Sequence, residues 1–403
     1  MAGYRLLIVN HAVEIGGAER VLLRFLDRID RTLFEPALAC PHPGPLSQEA
    51  AARGLEVHFG FPAQRLLGVQ RKSLGKNRLA ALAYPYDMAG TVVRLARLVR
   101  KGSYDLVLTN SAKADIYGSA AARLAGRPVV WRLHDIVDSD AFNRFNIALF
   151  RIFATLCASK VLAVSEAARD ALIARGVSAD KVAAVYNGID LDEFVPGSAR
   201  ERVRKEWNIA EDAPLAGMVG RLVDWKGPDR FIEAAALVAE ELPRARFILV
   251  GDAIFGEAGY VDELKVSTAA VGLADKVVFT GFREDATDIM AGLDVLVHAS
   301  LLPDPLPTVL IEAMALRVPV IAADAGGVRE IVEEGVIGLV VPPGDVKALR
   351  DAMLKILSDP GAASAMGAAG RERVLEYFEI GRQSRRLEGE MLSVLREKDR
   401  KRG

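Results

Sequence analysis

The chain has 403 residues, with 52 Lys+Arg against 53 Asp+Glu, five His and only two Cys. That length suits two or three domains, and a charged fraction of 26% with 35 Gly excludes wholesale disorder and collagen-like repeats. Cys40 and Cys157 lie too far apart for a disulfide framework or a cysteine zinc site, which points to a reducing compartment.

The opening MAGYRLLIVN reads as a strand, its apolar run being too short for a signal-peptide core. No stretch of some 18 uncharged apolar residues is present, so no spanning helix is expected. The net charge of −1 hides a split. Residues 1–190 carry 25 basic and 17 acidic side chains, whereas 191–403 carry 27 and 36. The two halves are expected to meet different partners.

Short apolar β-branched runs alternate with helical patterns along the first half. Strands are predicted at Tyr4–Val9, Glu56–Phe59, Asp105–Thr109, Val129–Leu133, Val161–Val164 and Val182–Val185. Helices are predicted at Ala18–Ile29, Met88–Val99 and Glu166–Ala174. The pattern pauses at Asn187-Gly188 and the polar stretch Asp190–Asp212, which contains Pro196-Gly197. Strands then follow at Leu215–Val219, Arg246–Val250, Val277–Thr280, Val295–His298, Val320–Ala322 and Leu339–Val341, and Ala348–Lys401 reads as helices alone. Strands apolar on both faces and separated by helices define two doubly wound α/β domains, 1–190 and 191–379. Such folds bind ligands beyond the carboxyl ends of their strands.

The chemistry-bearing loops sit at those ends. Gly16-Gly17-Ala18-Glu19 opens a helix, where glycines let backbone N–H groups approach an anion closely, although a plain tight turn fits the same residues. The loop Gly220–Gly227 carries Arg221 and Lys226, two cations able to clamp a diphosphate. After Val295–His298 comes a proline-stiffened loop with Asp304, then a helix from about Thr308. The first amides of that helix, at Thr308, Val309 and Leu310 beyond Pro307, could hold phosphate oxygens. Glu312, one turn in, could accept both hydroxyls of a ribose, and Asp304 could bind sugar hydroxyls. His134-Asp135 follows the first-half strand Val129–Leu133; His11 in the first half and His298 in the second also end strands, with weaker claims.

Taken in order, several motifs resemble the retaining glycosyltransferases of family 4, also called group 1. They are Gly16-Gly17-Ala18-Glu19, His134, Val185–Asp190, Gly220–Gly227, Gly251-Asp252, Phe279-Thr280-Gly281, Asp304–Glu312 and Gly326–Glu330. The resemblance spans about residues 1–345. It implies a GT-B fold: two Rossmann-like domains facing across a cleft, an acceptor domain and a donor domain, with a helix at about 380–403 returning to the first. It also implies hexose transfer from a UDP- or GDP-linked sugar to a glycan or polyprenyl-linked acceptor, as in cell-envelope polysaccharide synthesis.

The resemblance further implies retention of anomeric configuration with no cofactor and no essential metal, since Arg221, Lys226 and the Thr308 helix would stabilise the departing diphosphate. Under it, His134, Arg221, Lys226 and Asp304 attend the reaction. Gly16, Gly17, Pro307, Thr308, Val309, Leu310 and Glu312 join in holding the donor, while His11 and Glu19 lie on the acceptor side. The chain departs from the family where Asp304 replaces the usual first Glu of Glu-x7-Glu, shortening the carboxylate's reach by a methylene. A catalytically silent nucleotide-sugar-binding subunit and a non-hydrolysing sugar-nucleotide epimerase remain alternatives.

Residues 65–101 hold Arg65, Arg71, Lys72, Lys76, Arg78, Arg94, Arg97, Arg100 and Lys101 against one acid, Asp87. With Met88, Val92, Leu95 and Val99 on one helical face, this segment suits an anionic membrane surface or, equally, a core helix with a solvated basic back. The expected location is cytoplasmic, with peripheral attachment at the membrane's inner face as its extension. Aromatic residues are not interleaved with the cations, so nucleic acid is not an expected partner.

Overall fold

The computed structural model describes residues 3–62, 78–137, 144–197, 199–253 and 258–400, the side chains of 78–85 and 258 aside. Arg65, Arg71, Lys72 and Lys76 lie outside the described residues, and the side chain of Arg78 with them. The chain divides into two compact units, Met1–Gly188 with Ile380–Gly403, and Ile189–Glu379. The break falls two residues before the sequence-based boundary.

Among the described residues unit 1 carries seven strands: β1 (Tyr4–Val9), β2 (Phe34–Cys40), β3 (Glu56–Phe59), β4 (Leu106–Thr109), β5 (Val129–Leu133), β6 (Lys160–Ala163) and β7 (Val182–Ala184). They form one parallel sheet in the order β3-β2-β1-β4-β5-β6-β7. Because side chains alternate across a strand, Leu7 and Val9 enter one apolar cluster and Leu6 and Ile8 the other. A sheet buried on both faces needs apolar residues at every position, which is the pattern that made these strands legible.

Strand β2 escaped prediction because Pro36 stands inside it, and a proline removes a ladder donor. The structure accommodates it because pairing with β3 begins only at Ala37, opposite Glu56. Helix Arg78–Lys101 lays Leu95, Ala96 and Val99 into the core, with Met88, Val92 and Leu98 packed beside them. Its apolar face is therefore occupied. Arg94, Arg97, Arg100 and Lys101 form the exposed back.

The final helix, Ile380–Arg400, belongs to unit 1 and puts Leu387, Met391, Val394 and Leu395 among the residues of β1 and β4. Its start presses on Gly188, where a Cβ would come 2.6 Å from the Ile380 Cα. That contact is the reason for glycine in the Tyr186-Asn187-Gly188 turn. The buried Arg132 of β5 fixes the same turn, donating to the carbonyls of Val185 at 2.6 Å and Tyr186 at 3.2 Å and to Asn187 Oδ1 at 2.8 Å.

Unit 2 carries β8 (Leu215–Val219), β9 (Arg246–Val250), β10 (Val277–Phe279), β11 (Val295–His298), β12 (Val320–Ala323) and β13 (Gly338–Val341). Their order is β10-β9-β8-β11-β12-β13, again all parallel. In both units the strand order reverses beside the first strand, at β1/β4 and at β8/β11. Those reversals open the crevices where doubly wound sheets take ligands.

Candidate active site

The unit 2 crevice is built by glycines. Gly220 ends β8 at φ +143°, and its N–H donates to the Val250 carbonyl. Gly251, at φ +132°, lies so close that a Cβ would meet the Gly220 oxygen at 1.8 Å. Its own N–H donates to the Gly281 carbonyl at 2.9 Å, so the loops after β8, β9 and β10 are laced together. Beyond Gly220 a 3-10 turn, Asp224–Lys226, closes on Gly227 in the left-handed region. A Cβ there would strike the Ala299 carbonyl at 2.2 Å. Leu301 N–H donates to the Trp225 carbonyl at 2.7 Å, which ties the β8 and β11 loops at the strand reversal.

Lys226 and Asp304 meet in this crevice, Nζ to Oδ2, at 2.5 Å. Their side chains are 17% and 13% exposed. The ammonium lies 4.5 Å from the Trp225 ring centroid, and the Arg221 guanidinium carbon 5.9 Å from the same ring. Arg221 is exposed. Asp304 is clamped through its backbone: its carbonyl accepts from Gly327 N–H at 2.9 Å, and a Cβ on Gly326 would come 2.1 Å from that oxygen. Burial would raise the Asp304 pKa, but the His298 ring and the Lys226 ammonium override it and hold the carboxyl well below the usual range. Asp304 is thus a paired carboxylate, and its expected part in reading sugar hydroxyls has to share the group with Lys226.

Helix Thr308–Ala315 follows, with Pro307 at its N-cap. The amides of Thr308 and Val309 have no intrahelical acceptor, being the first two of the helix. Leu310 corrects the sequence-based expectation: its N–H donates to the Pro307 carbonyl at 3.1 Å, because the first turn tightens onto its cap. Glu312 is half-buried one turn further on.

In unit 1, Gly17 is exposed with nothing within 4 Å of a built Cβ, so its backbone is approachable. Glu19 is turned inward, 7% exposed, one oxygen accepting from Asn10 Nδ2 and the other from Gly16 N–H, both at 3.1 Å. It caps its own helix and ties it to the end of β1. His11 N–H donates to Ser111 Oγ at 3.3 Å. His134 Nε2 sits 3.0 Å from Oδ1 of Asn110. Burial, then the Arg132 charge, pushes its pKa down to about 3, so its imidazole is neutral.

Asn10, Asn110 and Ser111 were not singled out from the sequence. Their signal was position alone, at or just beyond a strand's last residue, and Asn has no motif value by itself. The structure gathers Asn10 with Glu19, His11 with Ser111, and Asn110 with His134.

Two parallel-sheet α/β domains, one with Arg221, Lys226 and a helix start at its strand reversal, define a doubly wound architecture with a candidate ligand crevice beyond the strands' carboxyl ends. Residues 199–373 match the family model for glycosyl transferases group 1, and residues 15–193 match that for glycosyltransferase family 4. The chain belongs to this family, the group 1, family 4 glycosyltransferases of GT-B fold.

Among its relatives, the UDP-Gal:alpha-D-GlcNAc-diphosphoundecaprenol alpha-1,3-galactosyltransferase of Escherichia coli is 26% identical over 381 residues, covering 91% of each chain. A GDP-mannose-dependent alpha-mannosyltransferase of Mycobacterium tuberculosis is 29% identical over 372 residues, covering 89% of each. Anabaena HepE, solved in complex with UDP-glucose, superimposes with a TM-score of 0.83 at 28% identity, covering 96% of this chain and 99% of that one.

Proposed function

We propose that this chain is a retaining, metal-independent hexosyltransferase that moves a sugar from a UDP- or GDP-linked donor to a glycan or polyprenyl-linked acceptor of the cell envelope. The observation that carries the donor half is the clustering of Lys226, Asp304, Trp225 and Arg221 with the Thr308 helix start at the β8/β11 reversal. Two cations and two unsatisfied amides suit a diphosphate, and charge growing on that diphosphate as the glycosidic bond breaks meets them without rearrangement. Glu312 suits the ribose. In the acceptor domain, His134 offers a neutral imidazole, which donates or accepts a hydrogen bond without adding charge. Attack on the donor's own face, with the leaving phosphate taking the acceptor proton, needs no enzyme nucleophile.

The relatives support the substrate classes: the Escherichia coli enzyme is named for a UDP-sugar and a diphosphoundecaprenol acceptor, the mycobacterial one for GDP-mannose. Among the described residues no helix is long and apolar enough to cross a membrane. Contact with a lipid-linked acceptor at the cytoplasmic face would then be peripheral.

A thermal-shift panel of UDP, GDP, ADP and their sugars tests the donor site. A ligand at a hundred times its Kd adds about 2.7 kcal/mol of stability, which raises Tm visibly. Arg221→Ala and Lys226→Ala should each abolish most of the shift. Wild-type protein unmoved by every nucleotide would overturn the proposal. Slow donor hydrolysis without acceptor, lost in the same two variants, separates an enzyme from a silent binding subunit.

A further inference from the structure

His298 ends β11 and is 4% exposed, yet neither ring nitrogen makes a hydrogen bond of ordinary length. A buried polar ring left in that state is costly and calls for a reason. An ionised neighbour is Asp304, whose Oδ2 lies 3.5 Å from Nε2. That same oxygen receives the Lys226 ammonium. The three side chains therefore form a chain of contacts, from the sheet through the β11 loop to the β8 loop, with the carboxylate in the middle.

The backbone behind that carboxylate is fixed as well. Gly327 N–H donates to the Asp304 carbonyl, and Gly326 lies so close to it that a Cβ there is not tolerated. With the backbone clamped and a ring standing behind the carboxylate, the position suits aspartate. One more methylene, as in the family's usual Glu, would carry the carboxylate away from the imidazole.

We propose that His298 is a positioning residue of the donor site, seating the Asp304 carboxylate so that Asp304 holds Lys226 in place for the donor diphosphate. This rests on the reading of unit 2 as the donor domain. An ammonium has three N–H donors, so one directed to Asp304 leaves two for phosphate oxygens. A long lysine chain loses much rotamer freedom on binding, and ordering it beforehand removes that cost from the binding step. The role asks for the ring proton on Nε2, the nitrogen 3.5 Å from the carboxylate.

Isothermal titration of the full chain with UDP, GDP and ADP provides the test, followed with whichever binds tightest. His298→Phe keeps the volume and removes the N–H. It should weaken nucleotide binding by roughly tenfold, the size of one long side chain's ordering. His298→Gln places an amide nitrogen near the former Nε2 and should stay within about twofold of wild type. His298→Asn, whose amide falls at the Nδ1 position, should behave like the Phe variant and serves where Phe fails to fold. In an Asp304→Asn background the Phe substitution should add nothing, because its effect runs through that carboxylate.

Equal losses in the Gln and Phe variants, additive losses with Asp304→Asn, or no loss in a folded Phe or Asn variant would each overturn the positioning role. Wild-type protein that binds none of the three nucleotides would instead overturn the donor reading, and this inference with it.

Discussion

Gly251 shows how much one residue can decide. At φ +132°, and with a Cβ destined to lie 1.8 Å from the Gly220 oxygen, no side chain fits without moving the β8 or β9 loop. Gly281 shares the positive φ, at +68°, but has open space around it. Gly251→Ala should therefore cost about 3 kcal/mol or more and weaken nucleotide binding, whereas Gly281→Ala should cost about 1 kcal/mol from backbone strain alone. Urea denaturation of the two variants checks this, and equal costs would count against the close approach. The glycines, Arg221, Lys226 and Asp304 were legible because each stands in a motif at a strand end. His298 and Asn110 stand at strand ends too, but their meaning lies in burial and in the partners that folding brings to them, Asp304 and His134, which no local pattern displays.

Among the described residues, alternation and length exposed twelve of thirteen strands, and composition hid β2 because a proline argues against a strand wherever pairing is unknown. The last helix poses the opposite problem. Ile380–Arg400 is rich in charge, and nothing local says what its narrow apolar stripe covers. In the structure that stripe completes the unit 1 core, with Met391 wholly buried. Met391→Ala should destabilise the protein by about 2–5 kcal/mol, the range for emptying a buried site of that size. A surface helix would lose less than about 0.5 kcal/mol, so chemical denaturation distinguishes the two. The return of a C-terminal segment to the N-terminal sheet was inferred from the family resemblance rather than from the helix's own residues.

For the molecule as a whole, the charge split acquires a limit. The basic excess of residues 1–190 includes the exposed Arg94, Arg97, Arg100 and Lys101, while the apolar side of their helix is consumed by the core. Any attachment through this face is electrostatic, worth about 1 kcal/mol per cation and screened by salt. Vesicle sedimentation should show binding to anionic but not neutral lipid, lost at high ionic strength. Equal binding to both would mean that an apolar surface elsewhere inserts.

Residue order alone carried the two parallel α/β domains, the strand ends that hold glycine and charge, and the family, since periodicity and ordered motifs are local properties of a chain. Which charges meet was settled only by packing in three dimensions. Lys226 and Asp304 are 78 residues apart and form one ion pair because the sheet reverses its strand order between β8 and β11. Glu19 turns inward, where its carboxylate caps its own helix start and accepts from Asn10. Side-chain chemistry is written in the sequence, but the partner that fixes its use is chosen by the fold.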